Sequence, residues 1–289
     1  MTHSAYSIVT AARNEGRYIF KTLQSVVSQV HRPVEWIIID DGSTDDTSAI
    51  IDSYCKNHTW ITKIRLDNFL PGLKTTGGRV GHLLNIAVKK LRVQSDFITK
   101  LDADTQFQPD FFQRLLYEFE HDKKLGIASG NLVFEGRIMK MAPDETKGAV
   151  MIIRREIFEQ VGGFFESRGR GEDTLFSVAA RFFGWKTKTF PVYFDHLKPE
   201  GVRHSSFRQA YTTGSYKGSI PYRFDFFLLT QLKHIFKRPF LIGSLVQLAG
   251  YVNSRFIERY RPFPDFVRQQ LNAEQKRRMF GSNKNTGGK

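Results

Sequence analysis

Short apolar runs alternate with helix-spaced apolar positions along the first 130 residues. The run YSIVTAA (6–12) predicts a strand. After it, Ile19, Phe20, Leu23, Val26, Val27 and Val30 recur every three or four residues, which predicts a helix turned toward a core. Pro33 closes that helix, VEWIIID is a second strand, and TDDTSAIIDSYCKN is a helix with Ser43 as its N-cap. WITKIRL is a third strand; after the glycine-rich stretch NFLPGLKTTGG come the helix RVGHLLNIAVKKL and a fourth strand, DFITKLDA. Strand, helix, strand in this order predicts crossovers and a mainly parallel sheet covered by helices on both faces. Such α/β sheets bind ligands beyond the carboxyl ends of their strands.

The pattern continues with a helix opened by Pro109, a strand at 126–136, a strand and short helix in KGAVMIIRREIFEQVGGFFE, a helix led by Glu172 and Asp173, and the strand KTKTFPVYFDHL. Beyond residue 200 the two-residue period gives way to helical, aromatic and basic sequence. The expected organisation is an α/β domain over 1–200, a helical extension over 201–280 and a disordered tail over 281–289.

Charge sharpens that division. Of the net +14, residues 200–289 carry +11 from 16 Lys/Arg against 5 Asp/Glu, which leaves +3 for the rest. A basic region attached to a near-neutral body suits an anionic surface, phospholipid or nucleic acid. Its cations are interleaved with apolar runs and carry no recognised RNA or DNA motif, which sets nucleic acid aside. The most apolar window, FLIGSLVQLAGYV (240–252), is shorter than the roughly 20 residues of a membrane span, so attachment in the plane of a bilayer is the expectation. One cysteine, Cys55, permits no internal disulfide, and no secretory signal opens the chain. The expected location is cytoplasmic, peripheral on the inner face of the cell membrane.

Two carboxylate clusters follow apolar strands: Asp40, Asp41, Asp45 and Asp46 after EWIII, and Asp102 with Asp104 after ITKL. Along an extended strand, residues two apart point the same way, so Asp102 and Asp104 are expected to converge. A divalent cation relieves the repulsion between two such carboxylates, and oxygen ligands favour Mg²⁺ or Mn²⁺ with substrate phosphate completing the shell.

The segments SIVTAARNE (7–15), DDGSTDDT (40–47), Asp102-Ala103-Asp104, Gly162-Gly163-Phe164 and Glu172-Asp173 resemble, in order and spacing, the family 2 glycosyltransferases with the GT-A fold. The resemblance implies transfer of a sugar from a nucleotide-diphosphate donor with inversion at the anomeric carbon. It implies that Asp41 binds the nucleotide base over a floor of Thr10, Ala12 and Glu15. Asp102 would face ribose and diphosphate, and Asp104 the metal. Gln106 matches a DxDxQ pattern in which the glutamine assists the metal, and His196 lies where relatives place a histidine near metal or diphosphate. Arg79 and Asn85 occupy positions where the family has a basic residue and an asparagine; Arg79 at a helix start also suits a phosphate. Asp173 matches the family's catalytic base, although an acid there also suits a helix cap. The acceptor implied is a glycan or lipid-linked hydroxyl in surface polysaccharide or glycolipid assembly. A polyprenyl-phosphate sugar synthase is the near alternative; a nucleic-acid-binding protein or an inactive membrane scaffold are the distant ones.

Overall fold

The computed structural model describes residues 4–67, 76–139, 144–166, 171–198, 206–234, 240–257 and 263–280. It divides into two compact units, residues 1–167 with 172–200, and residues 168–171 with 201–289. The glycine-rich stretch before residue 76, most of the SRGRGED segment and the tail expected to be disordered lie outside the described residues.

The first unit is built on β1 (Tyr6–Ala12), α1 (Ile19–Val27), β2 (Glu35–Asp40), α2 (Thr47–Asn57), β3 (Ile61–Arg65), α3 (Thr76–Lys89) and β4 (Phe97–Leu101). It continues with β5 (Thr105–Phe107), α4 (Phe111–His121), β6 (Leu125–Phe134), β7 (Arg137–Ile138), β8 (Val150–Arg154), α5 (Arg155–Val161), α6 (Glu172–Phe182) and β9 (Lys186–His196). The sheet order is β3-β2-β1-β4-β8-β6-β9-β5, with β7 paired to β6. From β3 to β4 all pairs are parallel. The parallel run ends at β8, which enters antiparallel between β4 and β6. Parallel neighbours need a long, usually helical crossover; no helix separates β6 from β8 among the described residues, so the chain returns antiparallel.

Strand β2 shows why its sequence is apolar between two carboxylates. All six of its residues are buried, with Trp36 and Ile38 in the core under α1, α2 and α4, and Ile37 and Ile39 in the opposite core under α3, α5 and α6. Each face takes alternate residues, so the four positions between Glu35 and Asp40 are all apolar, while Glu35 at the strand's start accepts the N–H groups of Arg92 and Val93. In α1, Ile19, Leu23 and Val26 are buried as expected, whereas Phe20 and Val30 are exposed. The helix ends at Val27, so Val30 falls outside the periodic stretch; Phe20 lies off the buried stripe and meets the edge of Tyr54.

The second unit consists of α7 (Ser206–Ser219), α8 (Phe224–His234), α9 (Phe240–Val252), a π-helical turn (Asn253–Ile257) and α10 (Asp265–Phe280). No helix among the described residues is long and apolar enough to cross a membrane.

Candidate active site

Parallel pairing brings the carboxyl ends of β1, β2 and β4 to one edge of the sheet. There the loop after β1 is sewn to the loop after β2. Asn14 N–H donates to Ser43 Oγ at 3.1 Å, Thr44 N–H donates to Asn14 Oδ1 at 2.9 Å, Glu15 N–H donates to Thr47 Oγ1 at 2.8 Å, and Gly16 N–H donates to Asp45 Oδ2 at 3.0 Å. Asn14 adopts φ 55°, a left-handed conformation that asparagine tolerates better than most residues. Asp40, fully buried, accepts Ser43 N–H at 2.9 Å and pairs with Arg65 at 3.0 Å. Burial pushes the Asp40 carboxyl up, but the bonds from Ser43 and the Arg65 charge outweigh it and hold it below the usual range. Asp45 is held low in the same way, burial being outweighed by bonds from Thr47 and Gly16. These contacts correct the expectation for α2. The helix begins at Thr47, Ser43 is engaged by Asn14, and Asp45 accepts Thr47 N–H at 3.0 Å from outside the first turn.

Asp41 follows the strand end, with its N–H donating to the Ala12 carbonyl at 2.9 Å. Its carboxylate is buried and held in a two-pronged pair with the Arg79 guanidinium of α3, and Arg13 stands 3.6 Å away. The residues expected to bind base and phosphate are therefore in contact with each other. Thr10 is fully buried and its hydroxyl accepts Trp36 Nε1–H at 3.0 Å, inside the core. The Asn85 amide is turned onto the Gly-Gly-Phe turn, accepting Phe164 N–H at 2.8 Å and donating to the Phe164 carbonyl at 2.9 Å. A Cβ on Gly163, which has φ +105°, would meet Asn85 Oδ1 at 2.8 Å.

Asp102, Asp104 and His196 each offer a ligand atom within 4.8 Å of the others. The two aspartates sit in a turn between β4 and β5, not in an extended strand, and β5 pairs antiparallel with β9 to bring up His196. His196 Nδ1 lies 2.8 Å from the Lys198 carbonyl, which can only accept, so Nδ1 carries the proton. That leaves Nε2, 3.5 Å from Asp104 Oδ1, as the ring nitrogen turned to the carboxylates. Burial, the nearby Asp102 charge and Glu15 push the Asp104 carboxyl up to about 6, against the pull of His196 and Lys198. Glu15 pairs with Lys198 at 2.6 Å. Gln106 is exposed and pairs in register with Asp195, whereas His196 faces Thr105. Directly opposed residues share a sheet face, so Gln106 and His196 project to opposite faces.

Below this cluster lies a buried lysine. Lys100 Nζ donates to Asp102 Oδ1 at 2.9 Å and to the Gly148 carbonyl. Burial works against its charge, but Asp102, Glu172 and Asp173 more than offset that and keep the ammonium protonated. Glu172 opens α6 in a buried position, and burial together with Asp173 raises its carboxyl to about 7 in spite of Lys100. Asp173 lies directly over Gly148: a Cβ there would fall 1.7 Å from Asp173 Oδ2. The other oxygen, Oδ1, accepts Thr174 N–H at 2.7 Å.

The sequence matches the description "Glycosyl transferase family 2" over residues 7–170, more than half of the chain. The chain belongs to glycosyl transferase family 2. Among relatives of this chain, the poly-beta-1,6-N-acetyl-D-glucosamine synthase of Staphylococcus epidermidis is 33% identical over 125 residues, covering 43% of the chain and 28% of the synthase. The chain thus matches less than a third of that relative's length. Two solved structures share its fold. The mannosyltransferase PcManGT of Pyrobaculum calidifontis, in complex with GDP-Man and Mn²⁺, aligns with TM-score 0.60 at 15% identity over 98% of this chain and 77% of its own. Staphylococcus aureus TarS 1-349, in complex with UDP-GlcNAc, aligns with TM-score 0.56 at 18% identity over 88% and 73%. The chain has the GT-A fold, a central sheet flanked by helices.

Sequence reasoning did not single out Lys100, Gly148 or Lys198, and it placed Glu172 in a motif without giving it a role. Lys100 carried a signal, a lysine inside a strand with buried neighbours on both sides, two residues before Asp102. Gly148 carried none, because its importance is a close approach from α6, distant in sequence.

Proposed function

We propose that this chain transfers a sugar from a nucleotide-diphosphate donor to a hydroxyl of a glycan or lipid-linked acceptor, inverting the anomeric carbon. The observation that carries the reading is the convergence of Asp102, Asp104 and His196 within 4.8 Å. Two carboxylates and an imidazole with Nε2 turned inward are a donor set that fits Mg²⁺ or Mn²⁺. Burial first, and the Asp102 charge beside it, raise the Asp104 carboxyl, and a bound cation would relieve the repulsion between the two carboxylates. Asp102, Asp104 and His196 would hold the ion, which supplies charge neutralisation for a departing diphosphate. The donors named for the two structural neighbours, GDP-Man and UDP-GlcNAc, are both sugars on nucleoside diphosphates.

The chain's own groups supply the rest. Asp41, with Arg79 and Arg13 beside it, offers hydrogen-bond partners for the base. Asp173 accepts the acceptor's hydroxyl proton as that oxygen bonds to the anomeric carbon, while the bond from that carbon to phosphate oxygen breaks and the nucleoside diphosphate leaves. Lys100 holds Asp102, and the bare Cα of Gly148 lets Asp173 sit against the same support. Gln106, which projects to the face opposite His196, is not among the residues that would hold the ion in this reading.

A thermal-shift screen of UDP-, GDP- and dTDP-sugars with and without Mn²⁺, followed by turnover of the best donor against glycan and lipid-linked acceptors, tests the reading. The expected result is stabilisation by one donor class that deepens with Mn²⁺, and sugar transfer with release of the nucleotide. No response to any nucleotide sugar, with binding of RNA instead, would overturn it.

A further inference from the structure

Among the described residues, α9 is packed along one face and exposed along the other. α7 and α9 meet backbone to backbone at glycines: a Cβ on Gly214 would lie 1.8 Å from the Gln247 carbonyl oxygen, and one on Gly218 or Gly250 would lie 2.3 Å from the carbonyl oxygen of Tyr251 or Tyr211. Gly243, Gly250, Tyr251 and Ser254 are accordingly buried. On the opposite face Ile242, Leu245, Ala249, Val252 and Phe256 recur every three or four residues, and all are exposed; Ile242, Leu245 and Phe256 exceed half of their full accessibility. Helix α8, which packs against α9, repeats the pattern every fourth residue with exposed Phe224, Leu228 and Leu232. Singly exposed apolar side chains are ordinary, but two ordered stripes on touching helices are not.

The charge around these stripes selects their partner. Residues 239–254 contain no charged side chain. They are bracketed in sequence by Lys233, Lys237 and Arg238 on one side and by Arg255, Arg259 and Arg261 on the other, within a region of net +11. A second copy seated on the same face would bring two such cationic regions together, which opposes self-association. An anionic bilayer offers acyl chains for the stripe and phosphates for the flanking cations. At 13 residues α9 is too short to cross, so it would lie in the plane of the interface. We propose that the exposed faces of α8 and α9 are a docking surface for anionic lipid, with Ile242, Leu245, Val252 and Phe256 entering the acyl boundary.

The test uses the full chain, flotation with phosphatidylcholine vesicles with and without phosphatidylglycerol, and the triple variant Ile242→Ser, Leu245→Ser, Phe256→Ser. Because these side chains are exposed, the variant should keep its melting temperature. The wild-type chain should partition to the anionic vesicles at low salt, and the triple variant should bind them at least about tenfold more weakly. A polarity-sensitive dye on Leu245→Cys, in a Cys55→Ser background, should shift to the blue with anionic vesicles alone. A folded wild-type chain that ignores anionic vesicles at low salt, a triple variant that binds as tightly as wild type, or a dye shifted by sedimentable self-association without lipid would each overturn the proposal. Nucleotide-sugar stabilisation of the same preparations reports separately on the transferase reading, so each can fail without the other.

Discussion

The two carboxylate clusters at the sheet edge stand in opposite electrostatic conditions. Around 40–47, Asp40 is matched by Ser43 N–H and Arg65, Asp41 by Arg79 and Arg13, and Asp45 by the N–H groups of Gly16 and Thr47. Their charges are met within the fold, and the carboxyls of Asp40 and Asp45 are held low. Around 102–104 and 172–173, Asp102, Asp104, Glu15, Glu172 and Asp173 share Lys100, Lys198 and His196, and the carboxyls of Asp104 and Glu172 are pushed up to about 6 and about 7. The first cluster has enough positive partners to build a loop. In the second, burial and neighbouring carboxylates raise Asp104 and Glu172 against Lys100, Lys198 and His196, and in the proposed reading a bound cation would complete it, so that one residue type serves construction in one place and chemistry in another.

The sharpest way to break this contrast is at Asp173. Asp173→Asn keeps the size of the side chain but cannot take the acceptor proton, so turnover should fall by roughly 10²–10⁴-fold while donor affinity is kept. Initial rates beside calorimetric donor titration check both halves, and near wild-type turnover would remove Asp173 from the role. Gly148→Ala comes next. Its Cβ must displace the Asp173 carboxylate, which would otherwise lie 1.7 Å away, and a misplacement of that order costs roughly 10²-fold in rate. Donor binding should again persist, distinguishing a shifted base from a damaged nucleotide pocket.

On the constructed side the effects are smaller and of a different kind. Asp45→Ala removes the acceptor of the Gly16 and Thr47 N–H groups and should destabilise the fold by about 1 kcal/mol in denaturant unfolding, with metal affinity unchanged. The smallest effect expected is on pH dependence. The folded values of Asp104 and Glu172 lie above their ordinary 3.8 and 4.5, so the folded state binds more protons than the unfolded chain between those values and about 6 and about 7. Stability of the metal-free protein should therefore be highest at the acid end of that window and decline as pH rises through it. Thermal melts in chelator should show this slope, and Asp104→Asn should flatten it.

Much of this arrangement was legible in the sequence, for identifiable reasons. Strands such as β2 are buried on both faces and read as unbroken apolar runs, so the parallel half of the sheet and the edge holding Asp41, Asp102 and Asp104 followed from pattern and topology. The antiparallel insertion of β8 and the short β5 did not, because pairing direction depends on connections that carry no periodic signal. Motif spacing pointed to Asp102, Asp104 and His196. It could not show that Asn85 clamps a turn, that Thr10 faces Trp36, or that Gln106 projects away from His196, since those depend on rotation about a strand or helix axis. Lys100 went unremarked and Glu172 received no role beyond its motif, because their character comes from burial beside each other's neighbours.

The central claim, that the Asp102, Asp104 and His196 cluster holds a divalent cation for a nucleotide-diphosphate donor, is tested most directly by calorimetric titration of the best-stabilising nucleotide sugar with and without Mn²⁺, in the wild-type chain and in Asp104→Ala. Mn²⁺ should tighten donor binding in the wild type and have no effect in Asp104→Ala, whose metal-free donor affinity should match that of the metal-free wild type. Donor binding that is the same with and without Mn²⁺ in the wild-type chain, or an Mn²⁺ effect that survives in Asp104→Ala, would contradict it.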